Sequence, residues 1–335
     1  METASIDQKS GFSSPDFEQL AKDAVSSWSL DVDELSLIKQ RENAVFSLRT
    51  RDGQRYALRV HRSGYHTDAE LRSEIEWMRS LKAHGIKTAD VIPTLDGQGF
   101  TVVANHQIDL LQWIDAAPIG AIEEQNRDGA ELSNAYRQVG AIMAQMHDHA
   151  ATWSLPGGFE RHAWDEDGLV GPEPFWGNFL ALDVLNDDNR ALLQKAAVTA
   201  RADLQAYGKE RDRYGLIHAD TLPENFLATQ DNEIFVIDFD DGGFGWYLFD
   251  FATALFFHLG EPQFEAVFEA LTEGYARHRP LPPEFENRLD LFFLLRGLTY
   301  LGWAHTRRET ETAQEMAPMI TTAVLELAQN YLAQK

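Results

Sequence analysis

A short strand–turn–strand segment interrupts a carboxyl-terminal half whose hydrophobic pattern is otherwise helical. Two apolar runs, Phe226–Ala228 and Ile234–Ile237, flank a polar turn and predict an antiparallel hairpin. Asp220 and Asn225 precede this hairpin, and Asp238 follows it directly. Because an antiparallel hairpin returns the chain to its starting point, we expect these oxygen-bearing side chains to converge at one end. The carboxyl-terminal half must therefore be a helical assembly that holds one small hairpin.

The amino-terminal part has the pattern of a small antiparallel sheet accompanied by helices. A helix is indicated from Pro15 to Trp28 by apolar residues at helical spacing, and the Asp52-Gly53 pair predicts a hairpin turn. The further predicted elements are strands Glu34–Gln40, Ala44–Thr50 and Arg55–His61, a helix Thr67–His84, and a strand pair Val91–Leu95 and Gly99–Ala104. This order predicts a compact sheet with one helix inserted between its strands.

After about residue 106 the pattern becomes helical. The predicted helices are Ala130–His149, Asp187–Tyr207, and four more between Trp246 and Leu332. Strands do not alternate regularly with helices, which argues against Rossmann and TIM-barrel folds. We therefore predict a two-lobed α+β fold, with a sheet-containing lobe at residues 1–104 and a helical lobe at residues 105–335. A cleft between lobes is a common place for a ligand.

Charge and composition exclude several classes of function. The chain has 29 Lys and Arg residues against 53 Asp and Glu residues, a formal net charge of −24, and no cysteine. Nucleic-acid and anionic-membrane partners are disfavoured, because both require basic residues. Thiolate metal sites and a cysteine nucleophile are excluded. The most apolar stretch, Leu289–Trp303, carries Asp290 and Arg296 and is shorter than a membrane span of roughly 20 residues, so we expect a soluble, cytoplasmic protein.

The polar residues around the hairpin fit a hard divalent cation. Mg²⁺ prefers oxygen ligands, accepts one or two carboxylates from a protein, and completes its shell with water and phosphate oxygens. Asn225 and Asp238 suit that role. Asp220 then remains to orient a substrate hydroxyl and to accept its proton.

At these residues the sequence resembles a known family. The pattern H-A-D-x-x-x-x-N, followed after the hairpin by I-D-F-D-D, is similar to the catalytic and metal loops of the aminoglycoside phosphotransferase and choline kinase family. Within that family the chain looks most similar to bacterial stress-response Ser/Thr kinases and homoserine-kinase-like proteins. The resemblance implies a protein-kinase-like fold, a small amino-terminal lobe that binds ATP, and a larger helical lobe that carries both loops.

The resemblance also implies roles for individual residues. Asp220 is expected to be the catalytic base, with Asn225 and Asp238 as the Mg²⁺ ligands. Asp250 matches an aspartate that braces the catalytic loop from the start of a helix. His218 is expected to hold this loop by packing and hydrogen bonding rather than to transfer protons.

The amino-terminal lobe is expected to contact ATP. Arg59 stands where protein kinases carry a phosphate-binding lysine, and a guanidinium also offers a fixed cation with two-armed contacts. Glu74 on the following helix is its expected partner, and Glu70 is the alternative. No glycine-rich loop separates the first two strands, so Asn43 is the candidate for a turn whose backbone amides approach the phosphates. We expect the adenine to lie around Val103–His106.

Other polar and aromatic groups have plainer interpretations. The segment His147–His149 resembles a metal site, but residues two apart on a helix do not share a face, so we expect a polar cluster at a helix end. The Trp-rich segment 153–180 is either a stacking platform or, as we favour, a lid packed on the helical lobe. Asp240 could hold a second Mg²⁺ or a cationic substrate, whereas Asp241 is expected to be solvated.

The sequence therefore predicts an ATP- and Mg²⁺-dependent phosphotransferase that acts on a hydroxyl group. The acceptor is either a small hydroxylated metabolite or amine, such as homoserine, choline or an aminoglycoside, or a Ser or Thr of a protein. The net negative charge slightly favours a cationic acceptor. The alternative is a nucleotide-binding pseudokinase with a regulatory role. Arg59 in place of the kinase lysine and a glycine-free loop at Asn43 would suit that alternative.

Overall fold

The computed structural model describes residues 16–40, 43–119, 129–231 and 233–335, and confirms the predicted α+β class. Within these residues the chain forms both α-helices and short strands. The helices are α1 (Phe17–Ala24), α2 (Asp68–Ala83), α3 (Gly129–Thr152), α4 (Glu166–Val170), α5 (Asp187–Tyr207), α6 (Tyr247–Leu255), α7 (Phe264–Ala276), α8 (Phe285–Thr306) and α9 (Glu311–Ala333). The strands are β1 (Val32–Gln40), β2 (Ala44–Thr50), β3 (Arg55–Val60), β4 (Lys87–Thr88), β5 (Phe100–Val103), β6 (His106–Gln112), β7 (Ala117–Pro118), β8 (Ala163–Trp164), β9 (Tyr214–Ile217), β10 (Phe226–Ala228), β11 (Ile234–Val236) and β12 (Gly243–Trp246). Short 3₁₀ turns cover Val25–Ser27, Phe179–Ala181, Pro223–Asn225 and Phe256–His258.

The chain forms two compact units. The first contains the described residues up to Asp68 together with Asp90–Trp113, and the second contains Ala69–Ala89 together with Ile114–Lys335. The boundary predicted after residue 104 lies inside the hairpin of β5 and β6. The body of α2, predicted to belong to the amino-terminal lobe, groups with the second unit.

The first unit is an antiparallel five-stranded sheet in the order β1-β2-β3-β6-β5. The hairpin between β2 and β3 turns at Gly53, whose φ of +90° favours glycine. Asp16 begins α1 by accepting the backbone amide of Gln19, as its position before the apolar helix predicts. The apolar face of α1 joins a core on one side of the sheet, which contains Leu20, Ala24, Trp28, Phe46, Leu48, Leu58, Val60, Ile108 and Leu110.

Two predictions for residues 91–112 are wrong. Val91–Leu95 is not the strand partner of Gly99–Ala104, since Val91 makes an isolated bridge to β6 while β5 pairs with β6 along its length. The helical pattern expected from residue 106 is instead the almost continuously buried strand β6. Its six successive buried residues show no alternation, so periodicity could not distinguish strand from helix. The turn before it uses positive φ at Ala104 and Asn105, and alanine is a weak turn signal.

The second unit contains the predicted hairpin. β10 and β11 pair antiparallel, with Phe226 opposite Val236 and Ala228 opposite Ile234. β7 and β4 extend this hairpin on either side into a four-stranded sheet. A three-stranded sheet in the order β8-β12-β9 lies in the same unit, and the chain leaves it at Ile217 to form the loop that enters β10.

Helices make up most of the second unit. The predicted bounds of α5 are confirmed, and α6 to α9 are the four helices expected after Trp246. α3 and α7 approach closely at two glycines: a Cβ on Gly140 would lie 2.0 Å from the Leu271 carbonyl oxygen, and one on Gly274 would lie 1.9 Å from that of Arg137. Among the described residues, no helix combines the length and the apolar character that a membrane crossing requires.

Candidate functional site

The loop between β9 and β10 brings two of the predicted site residues into contact. The side-chain amide nitrogen of Asn225 donates to Oδ2 of Asp220 at 2.7 Å and to the Asp220 backbone carbonyl at 2.8 Å. A 3₁₀ turn over Pro223–Asn225 positions this amide immediately before the hairpin. The Asp220 carboxylate is therefore held in a defined orientation at the end of the loop.

His218 joins the start of this loop to the end of the hairpin. Its Nε2 donates to the carbonyl of Ile237 at 3.0 Å, and its Nδ1 accepts the backbone amide of Asp220 at 3.3 Å. The ring is completely buried, and burial lowers the pKa of His218 below its ordinary value. A neutral imidazole with both nitrogens engaged can hold the loop, and neither nitrogen is directed at a substrate proton.

Asp238 follows the hairpin at the position expected for a metal ligand. The backbone amide of Ile237, the residue before it, donates to the carbonyl of Asn225 at 3.0 Å. This bond brings the two predicted ligand residues to the same end of the hairpin. Asp238 itself has a left-handed backbone, with φ of +65°, which aspartate tolerates better than most residues.

Asp250 lies in the first turn of α6, a helix whose nine residues are all buried. Its carboxylate accepts the backbone amide of His218 at 3.1 Å and that of Ala219 at 2.7 Å. Its carbonyl accepts the hydroxyl of Thr221 at 2.7 Å. A single aspartate thus holds three residues of the loop between β9 and β10.

The segment His147–His149 lies near the end of α3, where the sequence predicts a polar cluster. His147 is fully buried, and its Nε2 donates to Oδ2 of Asp250 at 3.0 Å while its Nδ1 accepts the Tyr275 hydroxyl at 2.9 Å. Burial lowers the pKa of His147, although the neighbouring Asp250 charge partly opposes this shift. His149 instead contacts Ser80 at 2.7 Å. The two histidines have different partners, as expected for residues two apart on a helix. The His147 ring binds the same Asp250 carboxylate that holds the backbone of His218.

Arg161 holds the segment that follows Asp238. The sequence analysis did not identify this arginine. Its guanidinium donates to the backbone carbonyls of Phe239 at 3.0 Å, Asp240 at 2.7 Å and Gly242 at 2.5 Å. The arginine lies in the Trp-rich segment, which gave no local signal for this contact. Its function is to fix the backbone of the predicted metal loop.

The two glutamates that the sequence offers as partners of Arg59 contact Arg161. The guanidinium lies 3.4 Å from the Glu74 carboxylate, inside the second unit, where both side chains are fully buried. The Glu70 backbone carbonyl accepts from the same guanidinium at 3.3 Å. The pairing of Arg59 with Glu74 or Glu70 stays a prediction.

Asp241 is held by aromatic side chains and is not the solvated residue expected. Trp176 donates its indole N–H to the Asp241 carboxylate at 3.1 Å, and Trp164 donates to the Asp241 carbonyl at 2.7 Å. Trp164 stacks on Phe249 of α6 with ring centroids 5.4 Å apart. This part of the Trp-rich segment therefore packs on the helical unit, which agrees with the favoured interpretation.

Arg296 was seen in the sequence only as a charge that argues against a membrane span. It lies in α8, and its Nη2 is 3.3 Å from Oδ1 of Asp220. Its Nη1 donates to the Ala219 carbonyl at 3.1 Å. The one available signal was an arginine inside the most apolar stretch of the chain, since such a residue is buried only when it is paired.

In the first unit, Arg59 forms a buried ion pair with Asp109 across neighbouring strands. The Arg59 Nε lies 3.0 Å from Oδ1 of Asp109, its Nη2 lies 2.5 Å from Oδ2, and His61 contacts the same carboxylate at 3.1 Å. Burial alone raises the pKa of Asp109, but the Arg59 and His61 charges outweigh it and hold the pKa far below its ordinary value. Asp109 was not identified from the sequence.

Two other expectations for ATP contacts fall in this unit. Asn43 accepts the backbone amide of Arg62 at 3.0 Å through its side chain, next to residues 41 and 42, which lie outside the described residues. The segment Val103–His106, expected to hold the adenine, is the turn of the β5–β6 hairpin. The position of the adenine near this turn stays a prediction.

Comparisons with known proteins agree with the sequence pattern. The family model described as "Phosphotransferase enzyme family" matches residues 34–284. Amicoumacin kinase of Bacillus subtilis (strain 168) is 25% identical over 310 residues, which cover 89% of this chain and 88% of that protein.

Solved structures match over almost the whole chain. A microcompartment-associated aminopropanol kinase aligns with a TM-score of 0.82 and 30% identity, covering 95% of this chain and 98% of the other. The amicoumacin kinase hAmiN, solved in complex with AMP-PNP, Ca²⁺ and Ami, aligns with a TM-score of 0.75 and 18% identity, covering 93% and 94%. The second of these shows the fold alone.

Proposed function

Because the chain belongs to the phosphotransferase enzyme family, we propose that it is an ATP- and Mg²⁺-dependent kinase of a small hydroxylated amine. The observation that carries this proposal is the orientation of Asp220. Asn225 holds one oxygen of its carboxylate at 2.7 Å, and Arg296 lies 3.3 Å from the other. A carboxylate fixed at both oxygens is suited to align a hydroxyl group for attack.

Asn225 and Asp238 are the residues that would hold Mg²⁺. The amide nitrogen of Asn225 donates to Asp220, so its amide oxygen is the atom that could bind a cation. One amide oxygen and one carboxylate make a donor set that Mg²⁺ accepts. When bound, the ion would neutralise the charge on the phosphate oxygens.

Asp220 is the residue proposed to act on the acceptor. It would orient the acceptor hydroxyl and accept its proton as the oxygen bonds to the γ-phosphorus of ATP. The bond from that phosphorus to the bridging oxygen breaks at the same time, and ADP leaves with the electron pair. Little covalent chemistry is asked of the protein, which contributes position and charge.

Arg59 is the cation proposed to contact the ATP phosphates, with the Asn43 turn contributing backbone amides. The buried Asp109 carboxylate fixes the direction of the Arg59 guanidinium through its Nε and Nη2 atoms. A planar guanidinium with a fixed direction suits bidentate contacts with phosphate oxygens. Glu74 stays the proposed additional partner.

One relative and the net charge support the proposed acceptor class. The aminopropanol kinase that is 30% identical acts, by its name, on a small molecule that carries an amine and a hydroxyl. The net charge of −24 on this chain favours a cationic acceptor through its long-range field. A small amino alcohol satisfies both observations, whereas a Ser or Thr in a basic peptide satisfies only the second.

A phosphate-transfer screen tests the proposal. The full chain is incubated with labelled ATP and Mg²⁺ against aminopropanol, homoserine, choline, an aminoglycoside and a generic protein substrate. We expect transfer to a small amino alcohol, loss of transfer in Asp220→Asn with nucleotide binding retained, and unchanged transfer in the surface control Asp183→Asn. Transfer confined to the protein would replace the proposal with a Ser/Thr kinase. Nucleotide binding without any transfer would favour the pseudokinase.

A further inference from the structure

Arg161 lies in the segment between α3 and β8, and its side chain is fully buried. A guanidinium has five N–H donors in a fixed planar arrangement. All five find acceptors within the second unit, of which four are backbone carbonyls and one is a carboxylate. These acceptors belong to Glu70, Glu74, Phe239, Asp240 and Gly242. A guanidinium with every donor engaged is held in one orientation.

The five contacts of this guanidinium divide between two structural elements. Nη1 lies 3.3 Å from the Glu70 carbonyl oxygen and 3.4 Å from the Glu74 carboxylate, both on α2. Nε lies 2.5 Å from the Gly242 carbonyl oxygen, and Nη2 lies 2.7 Å from that of Asp240. Both of these carbonyls belong to the metal loop, which we define as residues 238–242. Because the guanidinium is planar and rigid, it fixes the position of this loop relative to α2.

The residues next to Arg161 make the same two connections. The backbone amide of Glu160 donates to the hydroxyl of Ser73 on α2 at 2.8 Å. On the other side of the arginine, Nε2 of His162 donates to the Asp241 carbonyl at 3.0 Å. Strand β8 follows directly and pairs with β12, the strand that begins after the metal loop. The chain around Arg161 is therefore anchored both to α2 and to the metal loop.

Asp238, the proposed Mg²⁺ ligand, is the first residue of this loop. Its φ of +65° lies in the left-handed region, where a residue with a Cβ persists only if its surroundings over-determine the backbone. Before Asp238, a hydrogen bond to the Asn225 carbonyl closes the end of the hairpin. After it, the carbonyls of Phe239 and Asp240 both accept from Arg161, at 3.0 Å and 2.7 Å. The direction of the Asp238 carboxylate thus depends on backbone that Arg161 holds.

From these contacts we infer that Arg161 is a positioning residue of the metal loop, through which Glu74 on α2 helps to set the direction of the Asp238 carboxylate. This inference rests on the metal-ligand role proposed for Asp238. It gives Glu74 a role within the second unit, in addition to its proposed pairing with Arg59. Groups that orient metal ligands without touching the ion commonly change metal affinity by about 10–100-fold when they are replaced.

Binding of Mn²⁺, as a paramagnetic substitute for Mg²⁺, tests the inference without any phosphate acceptor. The full chain is titrated with Mn²⁺ in the presence of AMP-PNP, and the bound ion is measured by electron paramagnetic resonance against a blank of AMP-PNP alone. Arg161→Met removes the five donors and keeps much of the side-chain volume. We expect this variant to raise the Kd for Mn²⁺ by about 10–100-fold.

Arg190→Met is the matched control for the loss of a buried clamp. Arg190 also donates to three backbone carbonyls of the second unit, but these belong to Leu180, Leu182 and Leu185. The control should lose stability and keep the wild-type affinity for Mn²⁺.

Hydrogen exchange provides a second measurement, made without metal. The Gly242 amide donates to the Phe239 carbonyl at 2.9 Å, inside the loop that Arg161 holds. Its exchange should accelerate in Arg161→Met by more than the loss of global stability accounts for. In Arg190→Met, any acceleration should match the loss of global stability.

Glu74→Leu shows whether the glutamate on α2 acts through Arg161. Alone, this substitution should weaken Mn²⁺ binding, because the guanidinium loses its carboxylate acceptor on α2. In the Arg161→Met background it should weaken Mn²⁺ binding no further, whereas two independent residues would have additive effects on the free energy of binding. Apolar replacement of a whole buried ion pair is often neutral for stability, which favours a folded double variant.

The outcomes distinguish this inference from the proposed function. Wild-type affinity for Mn²⁺ in folded Arg161→Met overturns the inference, even if the wild type transfers phosphate. If Arg161→Met does not fold, unchanged affinity in Arg161→Lys overturns it instead, because an ammonium group has three donors and cannot replace all five contacts. An equal effect of Glu74→Leu in both backgrounds overturns the role of Glu74. Weakened binding in Arg161→Met, together with a wild type that transfers phosphate to no acceptor, supports the inference and counts against the proposed function.

Discussion

The carboxylate of Asp250 accepts the backbone amide of Ala219, with 2.7 Å between N and Oδ1, across 31 positions of sequence. Its other oxygen accepts from the His218 backbone at 3.1 Å and from the buried ring of His147 at 3.0 Å. Helix α6 therefore determines the conformation of the loop that carries Asp220. The buried Asp250 carboxylate accepts three hydrogen bonds, two from the backbone of this loop and one from the His147 ring.

Replacement of Asp250 should destabilise the protein. Asp250→Ala leaves two backbone amides and the His147 ring without their acceptor, so we expect the free energy of unfolding to fall by at least about 3 kcal/mol. Asp250→Asn keeps one acceptor oxygen and should lose less. Urea denaturation measures both. A loss below about 1 kcal/mol in Asp250→Ala would contradict the bracing role.

Asn225→Asp tests the contact between Asn225 and Asp220. A carboxylate at this position cannot donate to Asp220 and repels it, so we expect kcat/KM for phosphate transfer to fall by about 10²-fold. Asn186→Asp is the matched control, because Asn186 caps α5 and aspartate caps helices equally well. The control should retain wild-type activity, and an equal activity in Asn225→Asp would show that the amide donor is dispensable.

The ion pair between Arg59 and Asp109 should matter for stability and for nucleotide binding. Asp109→Asn removes the negative charge from a buried ion pair, and breaking such a pair costs about 3–5 kcal/mol. If Arg59 contacts phosphate, its altered direction should also raise the KM for ATP. Asp96→Asn, at the exposed turn where Asp96 accepts from Thr94, serves as the control. An unchanged KM in a folded Asp109→Asn would separate Arg59 from ATP binding.

His149 makes the stability of the protein depend on pH. Burial lowers its pKa from 6.5 to about 4, with a smaller contribution from the nearby His84 charge. Between those values the unfolded chain binds a proton that the folded chain does not, so stability is lost as the pH falls. His149→Gln removes this titration and should reduce the loss of unfolding free energy between pH 6.5 and pH 4 by about 2–3 kcal/mol.

The measurement for His149 is urea denaturation at several pH values. The comparison concerns the slope with pH, because the variant also changes the hydrogen bond to Ser80. His278→Gln is the control, since His278 is exposed and lies beyond the end of α7. Parallel pH curves for the wild type and His149→Gln would contradict the prediction.

Local patterns were sufficient for much of the fold. The bounds of α5, the hairpin of β10 and β11, and the α+β class follow from short-range periodicity and turn residues. The contact between Asp220 and Asn225 also follows, since the two residues are five positions apart and lie directly before the predicted hairpin. Strand β6 was missed because its continuous burial resembles a buried helix.

The sequence alone determined which residues could carry phosphate-transfer chemistry, because Asp220, Asn225 and Asp238 are joined by one loop and one hairpin. The tertiary structure alone decided what holds them. Arg296 reaches Asp220 across 76 positions, Arg161 reaches Gly242 across 81, and Asp109 reaches Arg59 across 50. A buried charge is stabilised by whichever partner the packing of distant elements brings within about 3 Å, and no local pattern records that partner.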